Sequence, residues 1–432
     1  MWLRLLVASL FWLVVPGGSS SRAASVSPDE AKIIQAIDDA AARAVDLLGK
    51  LVDTNSGTFN SAGVTAVGKL LEPELQALGF STRWISMDAV KRGPHLVGER
   101  KGNRGKRVLV IGHMDTVFEP SSPFQKFVRN ADRATGPGSC DMKGGIVVLL
   151  TTLESLKRAG ALDGSRITVF LTGDEESVGE PWETSRGEMI KAAKSSDAVL
   201  SFEAGVRRDG KDYATVARRG STRWEVRVQA KAGHSSGIFG RSLGDGAAFE
   251  LSRILSQFHD GLREPNLTYS VGMILAGSGI RVQPGGEGSV FGKENIVPGE
   301  ALAIGDLRAL SAEQLARVKE KMRSIVSQSF PGSKSELIFR DKMPPMSPTA
   351  GNLALLGKLN EANHVLGLPD MEALDPMQRG AGDASFAAPY TNVLDGLGAY
   401  GSGSHAPGEM VELDRLPVQS KRAALLIYRL TR

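Results

Sequence analysis

Apolar residues follow different rhythms in different parts of the chain. Between Pro28 and Leu51 they recur at helical spacing, as Ile33, Ile34, Ile37, Ala40, Ala41, Val45 and Leu48, which predicts a helix with one buried face. Ser27-Pro28-Asp29-Glu30 is its start signal, with proline in the first turn and acids after it. A second helix is predicted over 62–78. Short continuous apolar runs follow at Val108–Ile111, Ile167–Leu171 and Ala198–Leu200, separated by helical stretches such as 144–159. Such runs read as strands buried on both faces, so this region predicts an α/β layer: a mixed, mostly parallel sheet with helices on both sides.

After about Tyr213 the rhythm changes. Trp224 to Ala230 alternates polar and apolar, as a half-buried strand does. A helix at 246–258, a strand near 267–274, a Gly-rich turn region at 277–288, a strand at 300–309 and a helix at 311–328 complete the stretch. These predict an inserted α+β unit over 216–330. The chain then returns to helix at 352–366, a Gly-rich loop at 380–382 and a final helix over 416–430. The expected organisation is one larger layer built from 25–215 and 331–432, carrying the insert between them.

The first residues have another pattern. Arg4 precedes an apolar run from Leu5 to Val15; Pro16, Gly17 and Gly18 break it, and a Ser-rich stretch leads to Ala23 and Ala24. Positive start, short apolar core and small residues at a cut mark a secretory signal peptide over 1–24. An uncleaved anchor is the competing reading, but a bilayer needs about 20 apolar residues. The expectation is a secreted or periplasmic protein with no stable membrane insertion after cleavage.

Composition adds exclusions. Across 432 residues, 41% are hydrophobic and 23% charged, which rules out wholesale disorder and a polytopic membrane protein. Lys and Arg exceed Asp and Glu by only 4, and loss of Arg4 and Arg22 with the leader halves that excess, so nothing calls for a nucleic-acid partner. Cys140 is the single cysteine. An internal disulfide and a thiolate-cluster metal site are therefore excluded, and any metal ligands must be His, Asp and Glu.

The acids and histidines are placed with a regularity that bears on chemistry. His113 and Asp115 directly follow the run 108–111; Asp174, Glu175 and Glu176 follow 167–171; Glu203 follows 198–200; Asp141 precedes a helix in a Gly-rich loop. In open α/β sheets ligands bind outside the carboxyl ends of the strands. Four or five carboxylates at one edge would repel each other unless a divalent cation, or two, lay among them. Mixed imidazole and carboxylate donors suit zinc, with cobalt or manganese as substitutes. Two ions require a bridging ligand and a water activated as hydroxide, and an Asp offers two oxygens. In Glu175-Glu176 one acid can ligate while the other takes a proton. His95, His259 and His364 have no such context and read as structural or surface.

At these residues the sequence resembles the dinuclear zinc metallopeptidases that include glutamate carboxypeptidase, acetylornithine deacetylase, succinyl-diaminopimelate desuccinylase and aminoacylase. The matching motifs are Gly112-His-Met-Asp-Thr-Val117, the loop Gly136 to Gly145, Thr172-Gly-Asp-Glu-Glu176, Ser201-Phe-Glu203, Gly233-His-Ser-Ser236, Asn295-Ile-Val-Pro298, Asp306-Leu-Arg308 and Gly403-Ser-His405, in the family's order. The resemblance implies that Asp141 bridges two zinc ions, that His113 and Glu203 complete one site, and that Glu176 and His405 complete the other. It implies Glu175 as general base and Asp115 as the partner that orients His113. It implies a zinc-exopeptidase-like layer with a ferredoxin-like insert as lid and dimerisation unit, and His234 in that insert would stabilise the oxyanion, commonly across the dimer. Asn295 and Arg308, and after the insert Arg340, are candidates for holding the substrate carboxylate.

The implied reaction is hydrolysis of an amide beside a free carboxylate, through a metal-bridging hydroxide. Glutamate carboxypeptidase is the nearest pattern, with removal of a C-terminal glutamate from peptides or N-acyl conjugates. An aminoacylase or dipeptidase with another side-chain preference is the alternative. The loop Arg379-Gly-Ala-Gly-Asp383 lacks the Thr that relatives tend to have before the Asp, and Cys140 beside Asp141 is unusual. Two readings of other classes compete. Gly233-His-Ser-Ser-Gly237 formally matches G-x-S-x-G, but a serine-hydrolase elbow needs a helix directly after it. A binding protein without chemistry would have no need of Glu175 and the full set of ligands.

Overall fold

The computed structural model describes residues 26–283 and 286–432; the leader expected at 1–24 lies outside the described residues. The first helix, Pro28–Asp53, starts where the sequence signals it. The Ser27 hydroxyl accepts the Glu30 amide and the Glu30 carboxylate accepts the Ser27 amide, which satisfies two otherwise free donors. Its buried face, with Ile33, Ile37, Leu48 and Leu51, packs with the helices Lys143–Arg158 and Leu416–Leu430.

These helices cover one face of a six-stranded sheet. Its order is Ser81–Ile85, His95–Arg100, Ser165–Thr172, Arg104–His113, Ala198–Ser201, Val393–Leu394. The first two pairings are antiparallel and the last three parallel. The apolar run 108–111 is continuous because both sides are buried. Val108 and Val110 join the core under the first helices, while Leu109 and Ile111 join a second core under the helices Trp182–Lys194 and Ala384–Ala387. The parallel strands end together: His113 lies beside Thr172, and Ile111 beside Ser201. That register brings the loops after three strands to one rim.

The insert forms a second, wholly antiparallel sheet in the order Thr268–Gly277, Glu300–Arg308, Ser221–Ala230, Ser333–Met343. The helices Gly246–Gly261 and Ala312–Val326 pack on one face over Trp224, Val226, Ala303 and Leu307. This is the βαββαβ order of ferredoxin-like units. One boundary needs correcting. The strand Ser333–Met343 belongs to this sheet, so the chain returns to the larger layer after 343 and not at 331. Its burial is only partial along its length, so it lacks the continuous apolar run that marks the strands of the larger sheet. The Gly-rich region expected as a turn carries a hairpin, Gly279–Val282 with Gly288–Phe291.

The two connections between the layers run side by side. Arg218 and Met346 exchange both backbone hydrogen bonds, each 2.9 Å. Among the described residues no helix is long and apolar enough to cross a membrane.

Candidate metal centre

At the shared rim the side chains meet. Asp141 divides its two oxygens between two imidazoles: Oδ1 lies 3.2 Å from His113 Nε2, and Oδ2 lies 3.3 Å from His405 Nε2. Glu203 Oε1 lies 3.2 Å from the same His113 nitrogen, and Glu176 Oε2 lies 3.1 Å from the His405 nitrogen. Donors about 2.0–2.2 Å from a tetrahedral ion stand about 3.3 Å from one another. The ligand atoms of His113, Asp141 and Glu176 lie within 4.8 Å of one another, as do those of His113, Glu175 and Glu203. Glu176 Oε1 is buried with no hydrogen-bond partner, a desolvated anion that a cation would compensate. The donor chemistry, the spacing and this orphaned oxygen fit a pair of divalent ions.

Charge gives the same answer. His405 is pushed up to about 11 by its bonds to Asp141 and Glu176. Burial opposes protonation of His113, but bonds to Asp115, Asp141 and Glu203 raise it well above the usual imidazole range. Burial lifts Glu176 to about 7 and lifts Glu175 well above the usual carboxylate range, with Glu203, Asp383 and Glu176 adding to the effect on Glu175. The cluster takes up positive charge wherever it can, and divalent ions would displace those protons.

Asp115 lies beneath the cluster, fully buried. It accepts the Thr58 hydroxyl at 2.7 Å and the Glu175 and Glu176 amides at 3.0 and 3.1 Å. His113 Nδ1 faces the Asp115 carbonyl at 3.1 Å and its carboxylate at 3.4 Å. Both are acceptors, so Nδ1 keeps its proton, and an ion displacing the second proton would meet the Nε2 lone pair facing the cluster. His405 has a φ of 67°, which costs a non-glycine residue about 1–2 kcal/mol. Strain of this kind concentrates at functional positions.

Several residues that hold the site were not legible in the sequence. Glu409 accepts the amides of Gly138, Cys140 and Asp141 at 3.1, 2.8 and 2.8 Å, which fixes the loop that presents Asp141. Its spacing of four from His405 is the one local clue. Asp174 turns away from its acidic neighbours: with Asp383 it holds the buried Arg186, and Asp383 also accepts the Thr172 hydroxyl. Arg218 and Arg379 approach Glu203 from distant segments. Gly382 passes so close that a Cβ there would come within 3.3 Å of Glu175 Oε1 and 3.0 Å of Arg218.

The remaining candidates lie in the insert. His234 and Asn295 sit together beside the short pair Gly233–His234 and Ile296–Val297, with Asn295 Nδ2 3.5 Å from His234 Nε2. His234 is exposed. Arg308 donates to Asp306 at 2.7 Å. Arg340 stands on the fourth strand of the insert opposite Arg223, and lines a cavity of about 540 Å³ with Arg223, Glu225, Arg227 and Glu300. None of the four has an ion pair or hydrogen bond to the cluster among the described contacts. Ser235 opens a short turn over Ser235–Gly237 and the next helix begins at Gly246, so no nucleophile elbow exists there. His95 is buried, accepts the Gly173 amide and bonds the Ser185 carbonyl; His259 and His364 pair with Asp260 and Asp370 at the surface.

The model of peptidase family M20/M25/M40 matches residues 109–429. Carboxypeptidase G2 of Pseudomonas sp. (strain RS-16) is 30% identical over 409 residues, 91% of each chain. Succinyl-diaminopimelate desuccinylase of Nitrosospira multiformis is 24% identical over 81% of this chain and 89% of its own. Among solved structures, a dinuclear metal-binding peptidase of Bacillus subtilis superposes with a TM-score of 0.63 at 16% identity, covering 91% of this chain and 99% of its own.

Proposed function

Because the chain belongs to peptidase family M20/M25/M40, we propose that it releases a C-terminal amino acid, glutamate first, from peptides or N-acyl conjugates with the help of two zinc ions. The observation that carries this reading is the division of Asp141 between His113 and His405, each with its own carboxylate, Glu203 or Glu176. The relative named carboxypeptidase G2 supports cleavage at the C-terminal end. The preference for glutamate is drawn from the motif resemblance.

Bound metal supplies Lewis acidity toward the scissile carbonyl and acidifies a water. His113, Asp141 and Glu203 would hold one ion, and Asp141, Glu176 and His405 the other. Glu175 takes the proton of the attacking water and returns it to the leaving amine. Its raised proton affinity, from burial and neighbouring carboxylates, lets it carry the proton between the two steps. His405, with 57% of its side chain exposed, marks the open side of the centre.

Two further parts belong to the proposal. His234 is exposed and makes no bond to its own centre. We read it as serving the centre of a second copy, through a homodimer of the insert. The leader pattern supports export, with cleavage near Ala23 or Ala24.

Glu175→Gln is expected to keep both metals by elemental analysis while turnover falls about 10²–10⁴-fold; substantial residual turnover would remove Glu175 as the base. Chelation should abolish hydrolysis of peptidyl and N-acyl glutamates, and zinc should restore it. A substrate panel that varies only the C-terminal residue decides the side-chain preference. Equal rates across the panel would reject glutamate and leave the coarser activity standing.

A further inference from the structure

Two arginines face Glu203, the buried Arg218 and the half-buried Arg379, and both face the same oxygen. Glu203 Oε1 points at His113, 3.2 Å away. Oε2 points the other way, 3.5 Å from an Arg218 Nη2 and 3.7 Å from an Arg379 Nη2. Arg218 is almost wholly buried, and its Nη2 has no hydrogen-bond partner. The rest of its guanidinium is fully used: Nε donates to Asp395, and Nη1 donates to the carbonyls of Gly380 and Ala381 at 2.9 and 3.1 Å.

A core ion pair with Asp395 alone would not require the remaining nitrogen to be aimed at Glu203. A planar fork can meet one carboxylate, two carbonyls and a second carboxylate at once, and an ammonium cannot. The same residue also lies in the first of the two connections to the insert, where its backbone pairs with Met346. Its side chain therefore reaches from that connection into the larger layer.

We infer that Arg218 is a positioning residue: it fixes Glu203 as a one-oxygen ligand of the His113 ion and ties that ligand to the connection that carries the insert. The inference rests on the reading of Glu203 as a ligand proposed above. It has a reciprocal consequence. If the connection sets the position of Glu203, then an ion held by Glu203 must stiffen the connection by the same coupling.

The test is a metal titration of the full-length protein, read by calorimetry with zinc and by the absorption of bound cobalt. Arg218→Lys should weaken one of the two ions by about 10–100-fold, the usual cost of losing an outer partner of a ligand, and leave the other nearly unchanged. Asp395→Asn loosens the anchor of Arg218 without removing its charge; it should weaken the same ion by less, and it keeps the test open if Arg218→Lys fails to fold. Arg422 is equally buried and bonds Asn363, Gln419 and Tyr400, with no contact to Glu203. Arg422→Lys should lower Tm without separating the two affinities.

Hydrogen exchange supplies the second readout. Zinc should slow exchange over 215–220 and 343–349 in the wild type and do so less in Arg218→Lys. Two affinities that stay unchanged, or that fall together in step with Tm as in the Arg422 variant, would overturn the inference. A wild-type protein that binds fewer than two ions would overturn the reading of the centre, and this inference with it.

Discussion

Glu409 illustrates what one side chain contributes at this centre. Three amides of the Asp141 loop point at a single carboxylate, which is 1% exposed. Burial lifts it to about 7 against the pull of the Asp141 and Cys140 amides, so its hold on the loop is the outcome of two opposing forces. Glu409→Gln has almost the same shape, but one of its acceptor oxygens becomes a donor facing an amide. Leaving a buried donor unpaired costs about 1–3 kcal/mol, and the variant should show that loss in denaturant unfolding together with weaker binding of both ions. Unchanged metal binding would mean that the loop holds its shape without this carboxylate. Beyond its spacing of four from His405, the sequence did not distinguish Glu409 from the other acids of the chain, because its partners are backbone amides more than 260 positions away.

Elements set the direction in which these side chains point. The strands Arg104–His113 and Ala198–Ser201 are joined at their entry by Arg107 and Asp197. The Asp197 carboxylate accepts from the Arg107 amide and guanidinium, and the Asp197 amide donates to the Arg107 carbonyl. The Arg107 hydrogen bonds hold Asp197 at about 2, below its ordinary 3.8. A carboxyl group depressed in the fold stabilises it above its ordinary value, and that stabilisation is lost as pH falls through the depressed one. Asp197→Asn should therefore lower Tm at pH 5–7, and the gap from wild type should close by about pH 2. The pair is partly exposed, so the effect should stay below about 1 kcal/mol. A gap that persists at pH 2 would assign the contribution to shape and not to charge.

At the scale of the molecule the two layers have separate cores. The insert buries Trp224, Ile254, Phe258 and Met322 among themselves, while the larger layer is built on Ile33, Leu149, Val169 and Leu425 on one side of its sheet. Separate cores joined by two adjacent connections favour separate unfolding. Scanning calorimetry should resolve two transitions, and zinc should raise the one belonging to the larger layer, since binding stabilises only the unit that holds the ligand. A single transition raised as a whole by zinc would show that the layers unfold as one. Sedimentation with and without truncation of the His234 side chain tests the proposed dimer at the same scale: the mass should stay that of two chains while turnover falls.

The order of elements, the buried strands and most residues of the candidate cluster were legible in the chain because each depends on local pattern. A strand buried on both faces must be apolar throughout, and His113, Glu175, Glu176 and Glu203 follow such runs by two to five positions, whereas Asp141 precedes a helix and His405 was legible only through its motif. The half-exposed strand Ser333–Met343 escaped the same reasoning, since a strand whose burial is only partial carries no such run. What tertiary structure alone decided is which charges face one another. Asp174 stands next to Glu175 in sequence yet serves Arg186, whereas Arg218 and Arg379 join Glu203 from across the fold. Periodicity reports burial, but the pairing of buried charges depends on where loops from separate strands converge, and no local spacing encodes that.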